Sequence, residues 1–418
     1  MSAPPTKTFS SRGRVAMIVW NTFDSDARVQ KEIATLIAAG WEVHVFCRRA
    51  DPHGPASEWR GPGLVVERFP RKPGGDTLGA ADFVSQPARR SRAAQMLHMS
   101  RQLLLQQQMV RAMAAIKPMI IHAHDLNTLI PAWQAARRAS VPLIYDAHEF
   151  NMDRIDQNNW LRPISRRIED FALRRAAGVI VPSPMIAKAL ARFYRVRRPA
   201  VIGNWPIYNP DLRADKNGLR ERLGISSARP IALYQGGLQP HRGLDLLVEA
   251  MVEVQSLDLV IMGDGRLRNS LMAHISELGL SDRVHMLPPE PLDNLLALTM
   301  TADIGVHALE AGCLNHAYAS PNKLFEYFHA GLPVIMTDLP EVRSIFRKAP
   351  DGSPGLLFRP GDKEALVFAL EKLSGDSALR STLADRARRA SQQFCWQAQE
   401  QVLLEAYATA TKGMPLLF

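Results

Sequence analysis

The sequence predicts an α/β protein built from two doubly wound, Rossmann-like domains. Short apolar runs of strand length alternate with stretches of helical length from residue 14 to about residue 340. Such alternation is typical of parallel strands joined by crossover helices. A segment rich in Pro and Asn, 203–210 (GNWPIYNP), separates the runs into two series. The length of 418 residues also suits two to three domains of about 150 residues each.

The first series begins with an apolar run at 14–20 (RVAMIVW), followed by helical spacing over 26–39 and a stop at Gly40. Its other predicted strands are 41–47, 64–69, 119–122, 142–146, 178–181 and 200–203. The second series has predicted strands at 230–234, 257–262, 284–286, 304–306 and 333–336, with helices such as 244–254 and 266–278. A last helix is predicted over 396–412.

Composition excludes several classes of protein. With 46% hydrophobic and 22% charged residues, the chain is neither disordered nor low in complexity. Three scattered cysteines (Cys47, Cys313 and Cys395) exclude a disulfide framework and a CxxC site, and they favour a reducing compartment. The start lacks a signal-peptide pattern, and no run of 18 apolar residues occurs. We therefore expect a cytoplasmic protein that does not cross a membrane.

Charge is divided unevenly along the chain. Residues 1–203 hold 30 Lys and Arg against 16 Asp and Glu, a net of +14, while the remainder has a net of −4. The basic residues concentrate in stretches such as 162–175 and 192–198. Solvated helix faces would account for this pattern, and so would a surface for an anionic partner. An anionic membrane surface is the expected partner, because no nucleic-acid module is evident.

Two predicted strands of the first series end in similar polar segments. The first is followed by His122-Ala123-His124-Asp125, and the second by Asp146-Ala147-His148-Glu149. Sites of α/β sheets lie at the carboxyl ends of strands, so these side chains are expected to gather there. A histidine in such a place serves as a hydrogen-bond partner for a hydroxyl or a leaving group near neutral pH. His124, two residues past the end of the predicted strand, is the candidate catalytic residue, with Asp125 beside it.

The second series carries candidate phosphate-binding segments. In 234–243 (YQGGLQPHRG), Gly236 and Gly237 allow close approach of the backbone to a phosphate, and Arg242 supplies charge. A tight turn at Gly263 follows the next strand, without the GxGxxG spacing of a dinucleotide site. The third segment, 320–334 (SPNKLFEYFHAGLPV), starts a predicted helix whose free N–H groups suit a phosphate; its candidate residues are Pro321, Asn322, Lys323 and, for a ribose diol, Glu326.

Taken together, these segments resemble glycosyltransferase family four, a retaining group with the GT-B fold. The resemblance rests on their order and spacing over nearly the whole chain, from the first helix to a tail that begins FCWQAQE. It implies transfer of a sugar from a nucleotide-diphosphate sugar to a hydroxyl acceptor, with no metal and no other cofactor. Residues 204–395 would form the donor domain. Residues 1–203, completed by the tail helix 396–418, would form the acceptor-side domain.

The resemblance also implies roles for individual residues. Arg242 and Lys323 would hold the diphosphate, Glu326 the ribose, and His124 would meet the transferred sugar across a cleft. On the acceptor side it implies Asp26, Arg28, His148 and Glu149. Two positions differ from the usual pattern of the family. Tyr318 stands where a first glutamate is common, and Gly237 stands where an arginine is common.

The residues leave other functions open. A metal-dependent hydrolase could be built on His122, His124, Asp125 and His148, although its HxHxDH pattern is not completed. A nucleotide-sugar epimerase of GT-B-like fold is a second alternative. On the transferase interpretation, the acceptor is expected to be a lipid-linked or polysaccharide precursor at the cytoplasmic face of the membrane.

Overall fold

The chain forms two compact units. In the computed structural model the described residues are 11–24, 26–49, 51, 53–70, 92–153, 162–225 and 228–412, with only the helical backbone described over 92–101. The first unit comprises Met1–Met152, Asp156–Ile202 and Glu400–Phe418, and the second comprises Asp153–Ile155 and Gly203–Gln399. The chain therefore leaves the first unit at Ile202, builds the second, and returns to the first at Glu400.

The first unit is built on a sheet of eight strands. These are β1 (Arg14–Ile18), β2 (Glu42–Arg48), β3 (Ser57–Trp59), β4 (Leu64–Phe69), β5 (Ile120–His124), β6 (Leu143–Asp146), β7 (Gly178–Val181) and β8 (Ala200–Val201). Their order is β3-β4-β2-β1-β5-β6-β7-β8, and all pairs are parallel except β3 with β4. The helices are α1 (Ala27–Ala38), α2 (Arg92–Ala115), α3 (Leu126–Ala139), α4 (Arg162–Leu173) and α5 (Pro184–Tyr194).

The second unit is built on a parallel sheet of six strands. These are β9 (Ile231–Gln235), β10 (Asp258–Met262), β11 (Val284–Leu287), β12 (Ile304–His307), β13 (Val334–Thr337) and β14 (Gly355–Phe358), in the order β11-β10-β9-β12-β13-β14. Its helices are α6 (Leu219–Leu223), α7 (Leu244–Glu253), α8 (Arg268–Glu277), α9 (Leu292–Thr299), α10 (Leu314–Tyr318), α11 (Asn322–His329), α12 (Pro340–Lys348), α13 (Lys363–Gly375) and α14 (Ser377–Gln393).

Both sheets are doubly wound, as the alternating pattern predicted. The strand order reverses between β1 and β5 in the first sheet and between β9 and β12 in the second. In sheets of this type, ligands bind outside the carboxyl ends of the strands at that reversal. The fold therefore marks one edge of each sheet as the place to look for a site.

The last helix, α15 (Gln397–Ala410), packs on the first sheet. Its Tyr407 is buried, with its ring centroid 5.9 Å from that of Trp41, and Ala406 lies against Gly178 of β7. Glu400 accepts a hydrogen bond from Thr35 of α1 at 3.5 Å. The end of the chain thus closes the core of the unit that the beginning of the chain starts.

Strand lengths differ from the predictions by one or two residues. The predicted strand 119–122 is observed as Ile120–His124, because parallel pairing with β6 continues as far as His124 opposite Asp146. His124 therefore ends the strand, whereas the prediction placed it two residues beyond the strand end. Within the part of the chain that the structure describes, every helix is too short or too polar to span a bilayer.

Candidate active site

The carboxyl edge of the first sheet holds a buried cluster of charged and imidazole groups. Alternation along β5 puts His122 and His124 on one face of the sheet, where their rings stack with centroids 4.2 Å apart. Asp146 ends the neighbouring strand. Helix α1 begins after Asp26, whose carboxylate caps it by accepting from the N–H of Val29. We refer to six of these side chains as the strand-end cluster: Arg28, Glu32, His122, His124, Asp146 and His148.

A two-bond ion pair organises this cluster. The Nε and Nη2 atoms of Arg28 donate to the two carboxylate oxygens of Asp146 at 2.6 and 2.9 Å, and Nη1 donates to the carbonyl of Ile202 at 2.7 Å. Planar two-bond pairs of this kind fix orientation as well as charge. Burial alone would raise the pKa of Asp146, but Arg28 and His148 hold it well below its usual range. Asp146 is therefore a fixed negative charge behind the histidines.

Glu32, one turn after Arg28, behaves differently. Its Oε1 lies 3.2 Å from the Nε of Arg28, and both groups are buried. Burial and the nearby charge of Asp146 raise the pKa of Glu32 well above its usual range. One guanidinium thus lies between two carboxyl groups, and Asp146 is the one that keeps its charge.

The histidines of the cluster differ in exposure and charge. His124 is 2% exposed, and its Nδ1 lies 3.2 Å from Nε2 of His148 and 3.5 Å from Oδ2 of Asp146. Burial lowers the pKa of His124, which favours the neutral ring. The side chain of His148 is 20% exposed. Burial would lower its pKa too, but Asp125 and Asp146 outweigh that effect and raise it to about 10. The pair therefore offers a neutral imidazole behind a cationic one.

Several predicted residues have other contacts than expected. Arg28 was expected on the acceptor side, but its guanidinium is buried and engaged, so we propose that it positions Asp146 without touching an acceptor. Asp26 uses its two carboxylate oxygens to cap α1 and to accept from the amide of Asn21 at 2.7 Å. Asp125 is half-exposed, and its Oδ2 lies 3.5 Å from Nδ1 of His148. Glu149, the residue after His148, is partly buried. Direct contact of Asp125, His148 and Glu149 with substrate stays a prediction.

The sequence also missed members of this site. The hydroxyl of Tyr407 lies 2.8 Å from Nδ1 of His122, although the two residues are 285 positions apart in the sequence. Burial and the neighbouring His124 lower the pKa of His122 well below its usual range. His122 therefore has a partner within the fold. No local signal in the sequence indicated that pairing, whereas the Arg28 to Glu32 spacing, one helical turn, was visible.

Four side chains of the cluster come close enough together to hold a metal ion. Glu32, His122, His124 and Asp146 each place one donor atom within 4.8 Å of the others. Arg28, however, already holds both oxygens of Asp146 and lies against Glu32. A metal ion would have to share these carboxyl groups with a guanidinium, which like charge opposes. We therefore derive no step through a metal.

The carboxyl edge of the second sheet holds the phosphate-type segments. Lys323, at the start of α11, places its Nζ 4.4 Å from the ring centroid of Tyr234 and 3.4 Å from the hydroxyl of that residue. Burial and the charge of Arg242 lower the pKa of Lys323 to about 7. His307, buried at the end of β12, has its pKa lowered well below the usual range by burial, Lys323 and Arg242. The edge therefore carries a positive field suited to an anion.

Glu326 is held from the neighbouring strand end. The amide of Gln235 donates to its Oε2 at 2.5 Å, and Thr299 donates to the other end of that amide at 2.8 Å. Pro321 caps α11 without a side-chain hydrogen bond among the described residues, and Asn322 is exposed in its first turn. The predicted helix start and the position of Glu326 are thus as expected, while Gln235, Thr299 and His307 were missed because they are separate strand and helix ends.

Two glycines at the carboxyl edge of the second sheet, Gly236 and Gly263, lie in contacts too close for a Cβ atom. A Cβ on Gly236 would lie 2.9 Å from the Nζ of Lys323, and one on Gly263 would lie 1.9 Å from the carbonyl of Gly236. The N–H of Gly263 donates to the carbonyl of Leu287 at 3.0 Å, and the expected contact of Gly263 with the donor stays a prediction. The carbonyl of Gly237 accepts from Tyr234 at 3.0 Å.

Gly243, which ends the same loop and caps α7, provides a stability test. Its φ is +68°, and an added Cβ would lie 1.8 Å from the carbonyl of Ala308. Gly279 has nearly the same φ, +67°, with nothing within 4 Å of a Cβ. We expect Gly279→Ala to cost about 1–2 kcal/mol of unfolding free energy and Gly243→Ala about 3 kcal/mol or more, measured in urea. Equal costs would show that the contact with Ala308 imposes no constraint.

Comparison with known proteins agrees with this architecture. Residues 26–205 match the family described as Glycosyl transferase 4-like domain, and residues 215–390 match Glycosyl transferases group 1. D-inositol 3-phosphate glycosyltransferase of Nocardia farcinica is 25% identical in an alignment 402 residues long that covers 91% of this chain and 84% of the relative.

Two solved structures show the same fold over nearly the full length of both chains. Sucrose-phosphate synthase of Thermosynechococcus elongatus aligns with a TM-score of 0.74 and 21% identity over 94% of this chain and 98% of that chain. Anabaena HepE in complex with UDP and glucose aligns with a TM-score of 0.72 and 19% identity over 95% and 100%. These matches are to glycosyltransferases, so they favour a transferase over the metal-dependent hydrolase that the sequence left open. The chain belongs to the GT-B glycosyltransferases of the family-four kind.

Proposed function

We propose that this glycosyltransferase moves a sugar from a nucleotide-diphosphate sugar to a hydroxyl group of a lipid-linked or polysaccharide precursor, with retention of configuration. The observation that carries the donor half is the positive edge of the second sheet, where Lys323 and Arg242 lie beside the open first turn of α11. A diphosphate at that place would receive N–H groups and two cationic side chains. Glu326, held by Gln235, is the proposed acceptor for a ribose hydroxyl.

For the chemistry we propose front-face attack. The two buried carboxyl groups of the strand-end cluster are engaged by Arg28, so neither is placed as a free nucleophile. The bond from the acceptor oxygen to the anomeric carbon would form on the side from which the diphosphate leaves. The departing phosphate oxygen would take the acceptor's proton, with Arg242 and Lys323 stabilising its charge. His124 and His148 would orient the transferred sugar, His148 being the more exposed of the two.

A calorimetric screen of UDP, GDP, ADP and their sugars tests the donor proposal. The solved structures of HepE contain UDP, UDP with glucose, or UDP-glucose, so UDP is the first nucleotide to measure. We expect one nucleotide diphosphate to bind at least tenfold more tightly than the others. Binding of none would remove the donor site from this edge. Release of nucleotide only when an acceptor is present would distinguish transfer from an epimerase.

Proton linkage gives a second test of the same site. Because the pKa of Lys323 is lowered to about 7, the free enzyme holds about half a proton there at pH 7. A bound diphosphate favours the charged amine, so binding takes up a proton and affinity falls as the pH rises above 7. We expect uptake of about half a proton at pH 7, measured by calorimetry in buffers of different ionisation enthalpy. Lys323→Arg should bind nucleotide without that uptake. Equal uptake in this variant would assign the titrating group elsewhere.

We further propose that the enzyme works at the cytoplasmic face of a membrane as a peripheral protein. The support is the net charge of +14 over residues 1–203 against −4 over the rest. Cys47, Cys313 and Cys395 are free thiols, which suits a reducing compartment. A lipid-linked acceptor would be presented at such a surface, and anionic lipid attracts basic residues within about 8 Å at physiological salt.

A further inference from the structure

An open surface pocket of about 450 Å³ lies on the first unit, between residues of α4 and α5 and those that directly follow them. Four arginines, one carboxylate and two aromatic residues line it: Arg166, Arg167, Arg174, Arg195, Asp170, Phe193 and Tyr194. We call it the α4–α5 pocket. None of these residues belongs to the strand-end cluster, and none has a role in the proposed transfer.

The pocket lies away from the edge where that cluster sits. Helix α5 starts just after β7 and runs back toward the start of β8, so its last residues lie at the amino edge of the sheet. Phe193, Tyr194 and Arg195 come from that last turn, and Arg174 follows the last residue of α4, which runs in the same sense between β6 and β7. The strand-end cluster occupies the carboxyl edge. A ligand in the pocket is therefore a second ligand, separate from the acceptor hydroxyl.

The pocket keeps a net positive charge. Residues 162–198 contain ten Lys and Arg but only Glu169 and Asp170 as acids. Glu169 is buried and accepts from the hydroxyls of Tyr145 and Tyr194, and Asp170 pairs with Arg174 at 2.9 Å. Among the described residues, no acid pairs with Arg166, Arg167 or Arg195. Three guanidinium groups are thus available to an anion.

The walls of the pocket are preorganised. Tyr194 donates to Glu169 at 2.7 Å, which fixes the floor, and Arg174 donates to the carbonyl of Tyr194 at 2.9 Å. The guanidinium of Arg166 lies 4.5 Å from the ring centroid of Phe193. Guanidinium forks match the oxygens of a phosphate, and an anion that enters needs little rearrangement of these side chains.

Exposed apolar side chains on the same two helices, Phe193 in the pocket lining and Ile164 two residues before Arg166, indicate the source of the anion. Ile164 of α4 is 50% exposed and Phe193 of α5 is 45% exposed. Apolar residues next to a basic site are typical of surfaces that enter the boundary between lipid headgroups and acyl chains. A soluble phosphate compound or a nucleic-acid backbone gives no reason for an exposed isoleucine at this place.

We propose that the α4–α5 pocket binds the phosphate of an anionic lipid headgroup, with Ile164 and Phe193 entering the membrane boundary. This inference rests on the proposed function only for the membrane location. It also assigns a role to the basic stretches of the sequence. They would dock the enzyme on the lipid surface, while recognition of the acceptor stays at the carboxyl edge of the sheet.

The test is sedimentation of the full chain with phosphatidylcholine vesicles that contain phosphatidic acid or, at equal surface charge, phosphatidylglycerol. The pocket variant is Arg167→Gln with Arg195→Gln. The matched control is Arg192→Gln with Arg197→Gln, which removes the same charge from exposed residues of the same stretch outside the pocket. We expect the pocket variant to lose roughly tenfold or more in affinity for phosphatidic acid vesicles and the control no more than about threefold.

A charge-conserving variant separates a pocket from general attraction. Arg167→Lys with Arg195→Lys keeps the charge but removes the planar fork, and we expect it to bind more weakly than the wild type. Equal losses in pocket and control variants would overturn the pocket, leaving membrane binding intact. Absence of wild-type binding to any vesicle would overturn both, while nucleotide calorimetry would still test the transferase proposal. Tighter pocket-dependent binding of glycerol 3-phosphate or an RNA oligonucleotide than of vesicles would also overturn it.

Discussion

His124→Ala is expected to lower turnover by about two powers of ten or more, with nucleotide affinity unchanged. The reason is geometric. His124 ends β5 within 3.5 Å of both His148 and Asp146, and Arg28 fixes the position of that carboxylate. Removing the ring takes away the imidazole that lies 3.2 Å from Nε2 of His148. Nucleotide release from the donor identified by calorimetry, with and without acceptor lipid, measures the effect.

Two companion variants show which imidazole acts. His122→Asn changes the neighbouring ring, which is bonded to Tyr407, and should reduce stability far more than turnover. His148→Ala removes the more exposed member of the pair. A loss in His148→Ala that exceeds the loss in His124→Ala would transfer the sugar contact to His148. Near-normal turnover in both His124→Ala and His148→Ala would show that the strand-end cluster takes no part in the reaction. A product of inverted configuration would exclude front-face attack.

Lys323→Ala is expected to weaken nucleotide diphosphate binding by roughly ten- to a hundredfold. Charge-assisted hydrogen bonds to phosphate contribute about 1.5–3 kcal/mol each, and the amine lies at the start of α11 beside the Gly236 turn. Calorimetry of the preferred nucleotide measures the change. The enzyme should remain folded, because the ammonium of Lys323 is packed on the ring of Tyr234 and the rest of the unit's core is unchanged.

Lys363 provides the matched control for that experiment. It lies in the same unit, at the start of α13, with its amine 2.8 Å from Glu253 on the surface. Lys363→Ala should leave nucleotide affinity within about twofold, since exposed pairs contribute little. An unchanged affinity in folded Lys323→Ala would place the diphosphate away from this helix. Equal losses in the two variants would point to a general charge effect.

The presence of a strand could be predicted from sequence more reliably than the residues at which the strand ends. Apolar runs indicated β1, β5 and β9 because a strand buried on both faces is continuously hydrophobic. The run at 14–20 nevertheless stops being a strand at Ile18, since ladder pairing and not hydrophobicity sets the end. Short pieces such as α10 (Leu314–Tyr318) had no periodicity long enough to detect.

The proximity of candidate side chains could be predicted where they follow neighbouring strand ends or share one helix turn. His124, Asp125 and His148 follow that rule, and so do Lys323 and Glu326. What sequence could not predict is the partner of each group. Arg28 was expected on the acceptor side, but its pairing with Asp146, 118 residues later, was not predicted. Such pairings arise from tertiary packing, which leaves no local pattern.

The return of α15 to the first sheet sets an order for biosynthesis. When residues up to Ile202 have left the ribosome, the surface that Tyr407 covers on Trp41 and His122 is still open. The second unit, by contrast, is nearly contiguous from Gly203 to Gln399 and can fold as soon as it emerges. The unit that is translated first is therefore the one completed last, and a fragment ending near Ile202 would expose an apolar surface to aggregation or to chaperones.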